Sequence, residues 1–232
     1  MILVIMFFQN VFATEYYVSV SGNDKNNGLT EKTAWRTITF AATKAVAGDI
    51  VWVKAGDYGK EYVVVRNNGT QAKPIQFIGY KNSTGDIKSL YFSYSKGRTF
   101  DSREMPLLDG KNRDQGTGFN LEGKSYIQIK NLQITNYEEL VGGTGSDNSL
   151  VERLIAANAG VTDATAVNFD GTGNHHNVLR NCIVMNATDR AIAIGGNNNL
   201  VENCKTYADQ DDIGSQRRSM DYHVFVKVKL KF

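Results

Sequence analysis

The sequence lacks the features that mark several common classes of protein. Its net charge is only +2 and the body of the chain has no run rich in lysine and arginine, so nothing predicts a nucleic-acid partner. The two cysteines lie 22 residues apart, a spacing that gives no support for a zinc site. The apolar run at residues 1–8 is too short to cross a bilayer. Proline is scarce, at two residues, whereas glycine numbers 22.

The composition that remains is typical of one soluble, exported domain. The chain has 232 residues, 41% hydrophobic and 22% charged, which is enough for one good-sized globular domain. Residues 1–13 combine an apolar run with small residues at Val11 and Ala13, a pattern typical of a secretory signal peptide. The mature chain is then expected to start near Thr14, and the protein to be secreted, periplasmic or held at the cell surface. A buried first strand is the alternative for this segment.

Three segments of the chain repeat one another: SYIQIKNLQIT, HNVLRNCIVMN and NNLVENCKTYA, with NSLVERLIAAN as a weaker copy. Aligned on Asn131, Arg153, Asn181 and Asn203, the copies are 22, 28 and 22 residues apart. A short β-rich repeat of this length predicts a solenoid. Each coil divides into three short strands, as in GFNLEG, YIQIK and LQIT, and residues 50–213 allow about six or seven coils. An antiparallel sandwich does not explain this register.

The repeated residues also predict the corners and the core of the coils. Asn131, Asn181 and Asn203 each lie between the second and third strand, where asparagine tolerates a left-handed backbone. Stacked asparagine side chains can bond to one another along such a column, although Arg153 interrupts it. Cys182 and Cys204 share one repeat position, so we expect neighbouring thiols in the core. Parallel side chains give poor geometry for a disulfide.

The two ends of the repeat have different patterns. Apolar residues at helical spacing predict an amphipathic helix over about 34–46, and Gly48-Asp49 ends it. The solenoid domain is expected to span 14–215. Residues 216–232 alternate basic and apolar side chains, which is a strand pattern but not a further repeat. This segment either covers the open end of the solenoid or marks a truncated or frameshifted chain, and we favour truncation.

Four motifs near the amino terminus carry a family resemblance: YYVSVSGNDKNNG, TAWRTI, AGDIVWVKAGDY and KPIQFIGY. Together with the repeats they resemble secreted proteins of the pectate-lyase-like superfamily, most of all family-nine polysaccharide lyases, over roughly residues 16–213. The resemblance implies an all-β, right-handed parallel β-helix with an amino-terminal capping helix. It also implies an acidic polysaccharide partner, cleavage by β-elimination, bound Ca²⁺ and a lysine base. We expect a monomer.

The resemblance places the substrate along the outer face of the first strands and the loops before them. Asp170 and Arg190 then become candidates for contacts with the sugar, together with the neighbouring Asp189. A guanidinium can pair with a substrate carboxylate in a bidentate way. Calcium prefers several converging carboxylate oxygens. The densest acidic cluster, and therefore the candidate calcium site, consists of Asp209, Asp211 and Asp212.

Several alternatives stay open at the level of the sequence. Arg190 is more simply explained by a salt bridge with Asp189 or a neighbouring coil. His175 and His176 fit exposed turn residues better than a metal pair, and Lys205 lies on a third strand, away from the expected cleft. Of the motifs of polygalacturonase-like hydrolases only an Asp-Asp pair is present, which argues against a hydrolase. Because no complete catalytic set is visible, the rival to a lyase is a non-catalytic solenoid that binds glycans or has a structural role at the cell surface.

Overall fold

The computed structural model describes residues 13–90 and 100–207, together with the backbone of residues 228–229. It has one α-helix, one short 3-10 helix and many short strands in the described residues. In chain order the elements are β1 (Glu15–Val18), the 3-10 helix (Glu31–Thr33), α1 (Ile38–Lys44), β2 (Ile50–Lys54), β3 (Asp57–Gly59), β4 (Val63–Val64), β5 (Ile75–Tyr80), β6 (Leu107–Asp109), β7 (Thr117–Asn120), β8 (Ile127–Thr135), β9 (Glu139–Gly142), β10 (Leu150–Ala159), β11 (Thr165–Phe169), β12 (Val178–Arg180), β13 (Ile183–Ala187), β14 (Arg190–Ile194), β15 (Leu200–Glu202), β16 (Lys205–Tyr207) and β17 (Val228–Lys229).

The strands stack as a parallel β-solenoid of about six turns, which confirms the predicted fold class. One sheet has the order β14-β11-β9-β7-β4 and contains the first strand of each coil; we call it the first-strand sheet. The second and third strands of the coils build the larger sheet, in which β8 and β10 run continuously through both. Neighbouring coils pair in parallel, as in the register of Leu150 with Gln128 on one side and Val178 on the other.

The corners between second and third strands lie where the repeat predicts them. Asn131, Arg153, Asn181 and Asn203 have left-handed φ values of 60°, 53°, 56° and 52°. We call this column the second corner. Asparagine is favoured there because its short polar side chain tolerates the left-handed region better than most residues do. Two further left-handed columns lie five residues before and after it, and the sequence reading missed both. They are Tyr126, Asn148, His176 and Asn198, and then Asn136, Asn158 and Asn186.

The polar side chains along these columns bond differently from the expected asparagine ladder. In the second corner, the Arg153 Nε donates to Asn131 Oδ1 at 2.6 Å, so a guanidinium takes the place of an amide. An asparagine pair does form in the third column, where Asn186 Nδ2 donates to Asn158 Oδ1 at 3.4 Å. Inside the coils, the backbone N–H of Asn177 donates to Asn199 Oδ1 at 2.8 Å. These bonds satisfy polar groups that the stacked coils remove from water.

The interior of the coils is filled by aliphatic and aromatic side chains. Phe77 and Phe119 meet edge to face across the coil with ring centroids 5.2 Å apart, and both are fully buried. Cys182 and Cys204 are free thiols buried in adjacent coils, at the core position that the sequence predicted. Burial raises the pKa of the Cys182 thiol. The pair therefore packs as small apolar side chains.

The capping helix is shorter than the predicted 34–46. It begins at Ile38 because Thr37 is its N-cap, with the Thr37 side chain accepting a bond from Phe40 N at 3.1 Å. The backbone N–H groups of Arg36 and Thr37 are held instead by the Asp24 carboxylate, at 2.7 and 3.0 Å. The helix buries its apolar face as expected, and Ile38 is one of its buried residues.

The remaining predictions for the ends and connections have mixed outcomes. The signal-peptide prediction concerns residues 1–13, of which only Ala13 is described. At the other end, β17 pairs antiparallel with β15, so a strand of the basic segment runs against the last described coil. Within the described ranges no helix is long and apolar enough to span a membrane.

Candidate functional site

The structure brings three of the predicted site residues together on the outer side of the first-strand sheet. Arg190 opens β14, and its Nη1 lies 3.1 Å from Asp170 Oδ2, which follows β11 in the coil before. The Nε of Arg190 lies 3.2 Å from Asp189 Oδ2. The salt bridge with Asp189, which the sequence favoured, is therefore present, and the contact with Asp170 is added to it.

This cluster remains open to a ligand. The Arg190 and Asp170 side chains are each 51% exposed, and Asp189 is 39% exposed. A guanidinium has five N–H donors, and only two nitrogens of Arg190 are used by the two aspartates. The hydrogen bond to Asp170 is the largest cause that raises the pKa of Arg190. One guanidinium and two carboxylates leave the cluster with a net charge of −1.

Glu139, at the start of β9, is a site residue that the sequence reading missed. Its carboxylate is half-buried over the outer side of the sheet, where Thr117 Oγ1 donates to Oε2 at 3.1 Å. A side chain at Gly142 would collide with this carboxylate, so the glycine makes room for it. Burial raises the pKa of the Glu139 carboxyl, and hydrogen bonds from Asn168 and Thr117 partly oppose the rise. Shifted carboxyl groups on an accessible face are candidates for proton transfer.

Tyr62, directly before β4, is a second residue that the sequence did not identify as functional. It is 38% exposed, and its ring lies over Gly116, where a β-carbon would meet the ring. The ring also meets Tyr137 edge to face, at 5.9 Å between centroids. The Lys60 ammonium lies 5.3 Å from its centroid. An exposed, braced aromatic ring beside a cation is a surface on which a sugar ring can stack.

These groups mark out a strip along the first-strand sheet. Tyr62 lies at β4 and Arg190 at β14, the two ends of the sheet order, with Glu139 on the middle strand β9. Four steps between neighbouring coils, each about 4.8 Å, give the strip a length of about 19 Å. The strand register could have revealed Glu139. Thr117 pairs with Glu139, and Thr165 pairs with Arg190, so all four residues lie at the starts of their strands.

The other candidate residues are not part of this strip. Asp209, Asp211 and Asp212, the predicted calcium ligands, lie outside the described residues. Across residues 13–90 and 100–207, no three His, Cys, Asp or Glu side chains converge to hold a metal ion. His175 Nδ1 accepts from the backbone N–H of Asn197 at 3.1 Å in a corner, which fits the turn role expected for it.

A family model for the right-handed β-helix region of Pel9A-like proteins matches residues 16–217. The chain belongs to this family. The match covers the capping helix, every described coil and the whole strip on the first-strand sheet, so it confirms the resemblance predicted from the amino-terminal motifs and the repeats. Its reach past residue 207 also includes the three aspartates predicted to bind calcium.

Solved structures of carbohydrate-active enzymes share the fold. The chain is similar to the GH136 lacto-N-biosidase of Eubacterium ramulus, with 14% identity and a TM-score of 0.59, over 84% of this chain and 42% of that one. It is similar to pectate lyase Pel9A, with 15% identity and a TM-score of 0.59, over 84% and 48%. A rhamnogalacturonan lyase gives 18% identity and a TM-score of 0.50, over 84% and 51%. At such identities the likeness concerns the fold alone.

Curated relatives match shorter stretches. The uncharacterized protein YwoF of Bacillus subtilis (strain 168) is 44% identical over 66 residues, which is 28% of this chain and 14% of that protein. The lacto-N-biosidase of Bifidobacterium longum subsp. longum is 27% identical over 132 residues, 53% of this chain and 8% of that enzyme. The chain thus spans a small part of these relatives and about half of the solved enzymes. Its β-helix is related to those of polysaccharide lyases and of a glycoside hydrolase.

Proposed function

We propose that this is an exported polysaccharide-active protein that binds an acidic, uronic-acid polymer along the first-strand sheet and cleaves it by calcium-assisted β-elimination. The observation that carries the proposal is the Arg190 guanidinium. It is half exposed on the outer face of the sheet, held in place by two aspartates, and keeps donors for a ligand. A guanidinium oriented in this way can receive a carboxylate through two parallel hydrogen bonds.

The charge of the strip explains why such a substrate needs a cation. Arg190, Asp170 and Asp189 together carry −1, so a uronate carboxylate approaching them meets net repulsion. The carboxylates of Asp170 and Asp189 are already engaged by Arg190, so they are poor ligands for a metal. We therefore assign calcium to Asp209, Asp211 and Asp212, whose carboxylates suit a hard cation. Bound there, calcium would neutralise the substrate carboxylate and acidify its α-proton.

The other residues of the strip have roles that follow from their surroundings. The Tyr62 ring offers a stacking platform, and Lys60 beside it offers a charge for a second uronate. Burial raises the pKa of the Glu139 carboxyl, so this group stays protonated to a higher pH than an exposed glutamate does. We propose Glu139 as a proton-transfer group and Tyr62 as a sugar platform.

The test is an eliminase assay on the full chain. Polygalacturonate, alginate and chondroitin are each incubated with the protein, with calcium or with a chelator, and the ultraviolet absorbance of the unsaturated product is followed. We expect product from one polymer, with calcium only. Arg190→Lys should lower kcat/KM by about tenfold or more, since lysine cannot form the bidentate pair. Arg103→Lys, at an arginine that is 87% exposed and paired with Asp101 in the loop before β6, is the control.

A second set of variants tests the calcium assignment. Asp211→Asn with Asp212→Asn should raise the calcium concentration needed for half-maximal product, whereas Asp114→Asn should not. If no polymer gives product at any calcium concentration, the lyase function is wrong. Unchanged calcium dependence in the double variant would move the metal site elsewhere.

The second candidate is a solenoid that binds glycans without cleaving them. It is favoured by one observation: Arg190, the cation that lies against Asp170 and Asp189, is engaged by both carboxylates. Calcium-dependent retention of a polymer with no unsaturated product would support it.

A further inference from the structure

A cleft lies over the second corner, on the larger sheet and away from the strip of the first-strand sheet. It has a volume of about 410 Å³ and is lined by Lys88, Arg153, Asn181, Asn203 and Lys205 among others. We call it the corner cleft. Its volume is within the usual range for a small-molecule site, which is about 300–1,000 Å³. The proposed function makes no use of it.

The charged groups that line the corner cleft are all positive. Lys88, Arg153 and Lys205 contribute three cations, and no acidic side chain is part of the lining. Lys88 and Lys205 are exposed and form no ion pair within residues 13–90 and 100–207. Arg153 is paired, since its Nη1 lies 2.7 Å from Glu152 Oε1 and its Nε donates to Asn131. These two bonds fix the guanidinium and leave its other donors at the cleft.

Asparagine side chains of the second corner complete the lining of the corner cleft. The Asn131 carboxamide is fully used, with Nδ2 donating to the carbonyl of Gly79 and Oδ1 accepting from Arg153. By contrast, the carboxamides of Asn181 and Asn203 bond to no described residue, although both residues have the same left-handed backbone as Asn131. In this column, the asparagine before Arg153 is therefore fully hydrogen-bonded, whereas the two asparagines after Arg153 present their amide groups to the cleft.

We propose that the corner cleft binds the anionic group of a saccharide, a carboxylate or a sulfate. Three cations supply the charge, and two unpartnered amides supply donors and acceptors for hydroxyl groups next to that charge. An inorganic ion alone would leave most of the volume unfilled, which is why we assign a saccharide. This choice of ligand rests on the proposed function. The site itself rests only on the lining residues.

The experiment is calorimetric titration of the full chain in the presence of a chelator, which removes any calcium-dependent binding at the first-strand sheet. The three probes are an oligogalacturonate, a sulfated chondroitin oligosaccharide and inorganic sulfate. We expect binding of at least one oligosaccharide at low ionic strength that weakens as salt is added, because exposed charges are screened. The oligosaccharide that binds identifies carboxylate or sulfate as the group recognised.

Matched variants show where the probe binds. Lys88→Met with Lys205→Met should weaken binding by about tenfold or more, as expected for two lost charged contacts. Lys25→Met with Lys32→Met removes the same charge from exposed loops near the cap and should bind as the natural sequence does. Asn203→Asp is a second variant that keeps a residue tolerant of the left-handed corner, adds a carboxylate to the cleft and should also weaken binding.

Three outcomes overturn the proposal. They are equal affinity of the cleft and control variants, binding of inorganic sulfate but of neither oligosaccharide, and no binding of any probe. None of them depends on the eliminase assay. The protein could yield no unsaturated product and still bind an oligosaccharide in chelator, with weaker binding in the cleft variants. That result would support the corner cleft and contradict only the lyase function.

Discussion

The first-strand sheet and the corner cleft present opposite charges on the same stack of coils. On the first-strand sheet one arginine is outnumbered by two aspartates, and the half-buried Glu139 lies on the middle strand, β9. In the corner cleft the lining has three cations and no acidic side chain, and one of the cations, Arg153, is paired with Glu152. Both sites use outward positions of the repeated coils, and the corner cleft adds Lys88 from a loop outside the repeat.

The difference shows how a solenoid separates stability from recognition. The inward positions of neighbouring coils carry apolar side chains in register, as Phe119, Val141 and Val167 do. The outward positions are free to vary, so neighbouring coils can place acid on one side and base on another. An acidic glycan would need calcium at the first side and none at the second, and this contrast can be tested.

The largest effect is expected at Arg153, which belongs to both the fold and the cleft. Arg153→Ala leaves Glu152 and Asn131 without their partner and places alanine in a left-handed corner. We expect a loss of about 2–4 kcal/mol in the free energy of unfolding from the lost charged hydrogen bonds, since arginine already occupies the left-handed backbone. Denaturant unfolding measures it.

Arg153→Asn is the matched variant, because it restores the residue that the column has elsewhere. It should lose clearly less stability than Arg153→Ala but should bind the anionic probe as weakly. Equal unfolding free energies for the two variants would contradict the assigned role of the corner backbone.

A smaller effect is expected from neutralising the first-strand sheet. Asp170→Asn with Asp189→Asn removes the repulsion and frees Arg190, so binding of oligogalacturonate in chelator should tighten by about two- to fivefold. Calorimetry under the conditions used for the corner cleft measures it. Glu15→Gln with Asp57→Asn makes the same change in net charge at exposed positions of the larger sheet and serves as the control. If both double variants tighten equally, the effect is one of total charge and not of the strip.

The smallest effect concerns the pH dependence of stability at Glu139. Because its folded pKa is raised, the carboxyl contributes stability that is fully present below its unfolded pKa of about 4.3 and is lost as pH rises through the folded pKa. Glu139→Gln should therefore gain Tm relative to the natural sequence as pH rises from about 4 to 7. Thermal unfolding across this range measures the difference, with Glu15→Gln, at an exposed glutamate on β1, as control. A Tm difference that shrinks with rising pH would reverse the assigned shift.

The residues that could be predicted from the sequence are those whose role is local and repeated. Asn131, Asn181 and Asn203 were identifiable because asparagine tolerates a left-handed corner better than most residue types do and recurs there at one position of the repeat. The Cys182 and Cys204 neighbours followed from the same register. The contact between Asp189 and Arg190 is likewise local, since the two residues are adjacent in the chain.

The features that could not be predicted depend on groups far apart in sequence. Helix α1 is shorter than expected because Asp24, 13 residues before Thr37, holds the backbone that precedes it. Tyr62 becomes a platform only because Gly116 lies beneath its ring. Lys88 reaches the corner cleft from a loop outside the repeat, which no periodicity places. Whether Asn181 and Asn203 bond to each other or face a ligand is decided by side-chain geometry.

The central claim is that an acidic glycan meets two sites on this solenoid, one dependent on calcium and one independent of it. The most direct measurement is hydrogen exchange of the full chain with oligogalacturonate, in chelator and in calcium. We predict protection of residues 180–183 and 203–205 in both conditions, and added protection of residues 165–170 and 189–194 with calcium only. Protection that is the same in chelator and in calcium, or absent from both regions, would contradict the account.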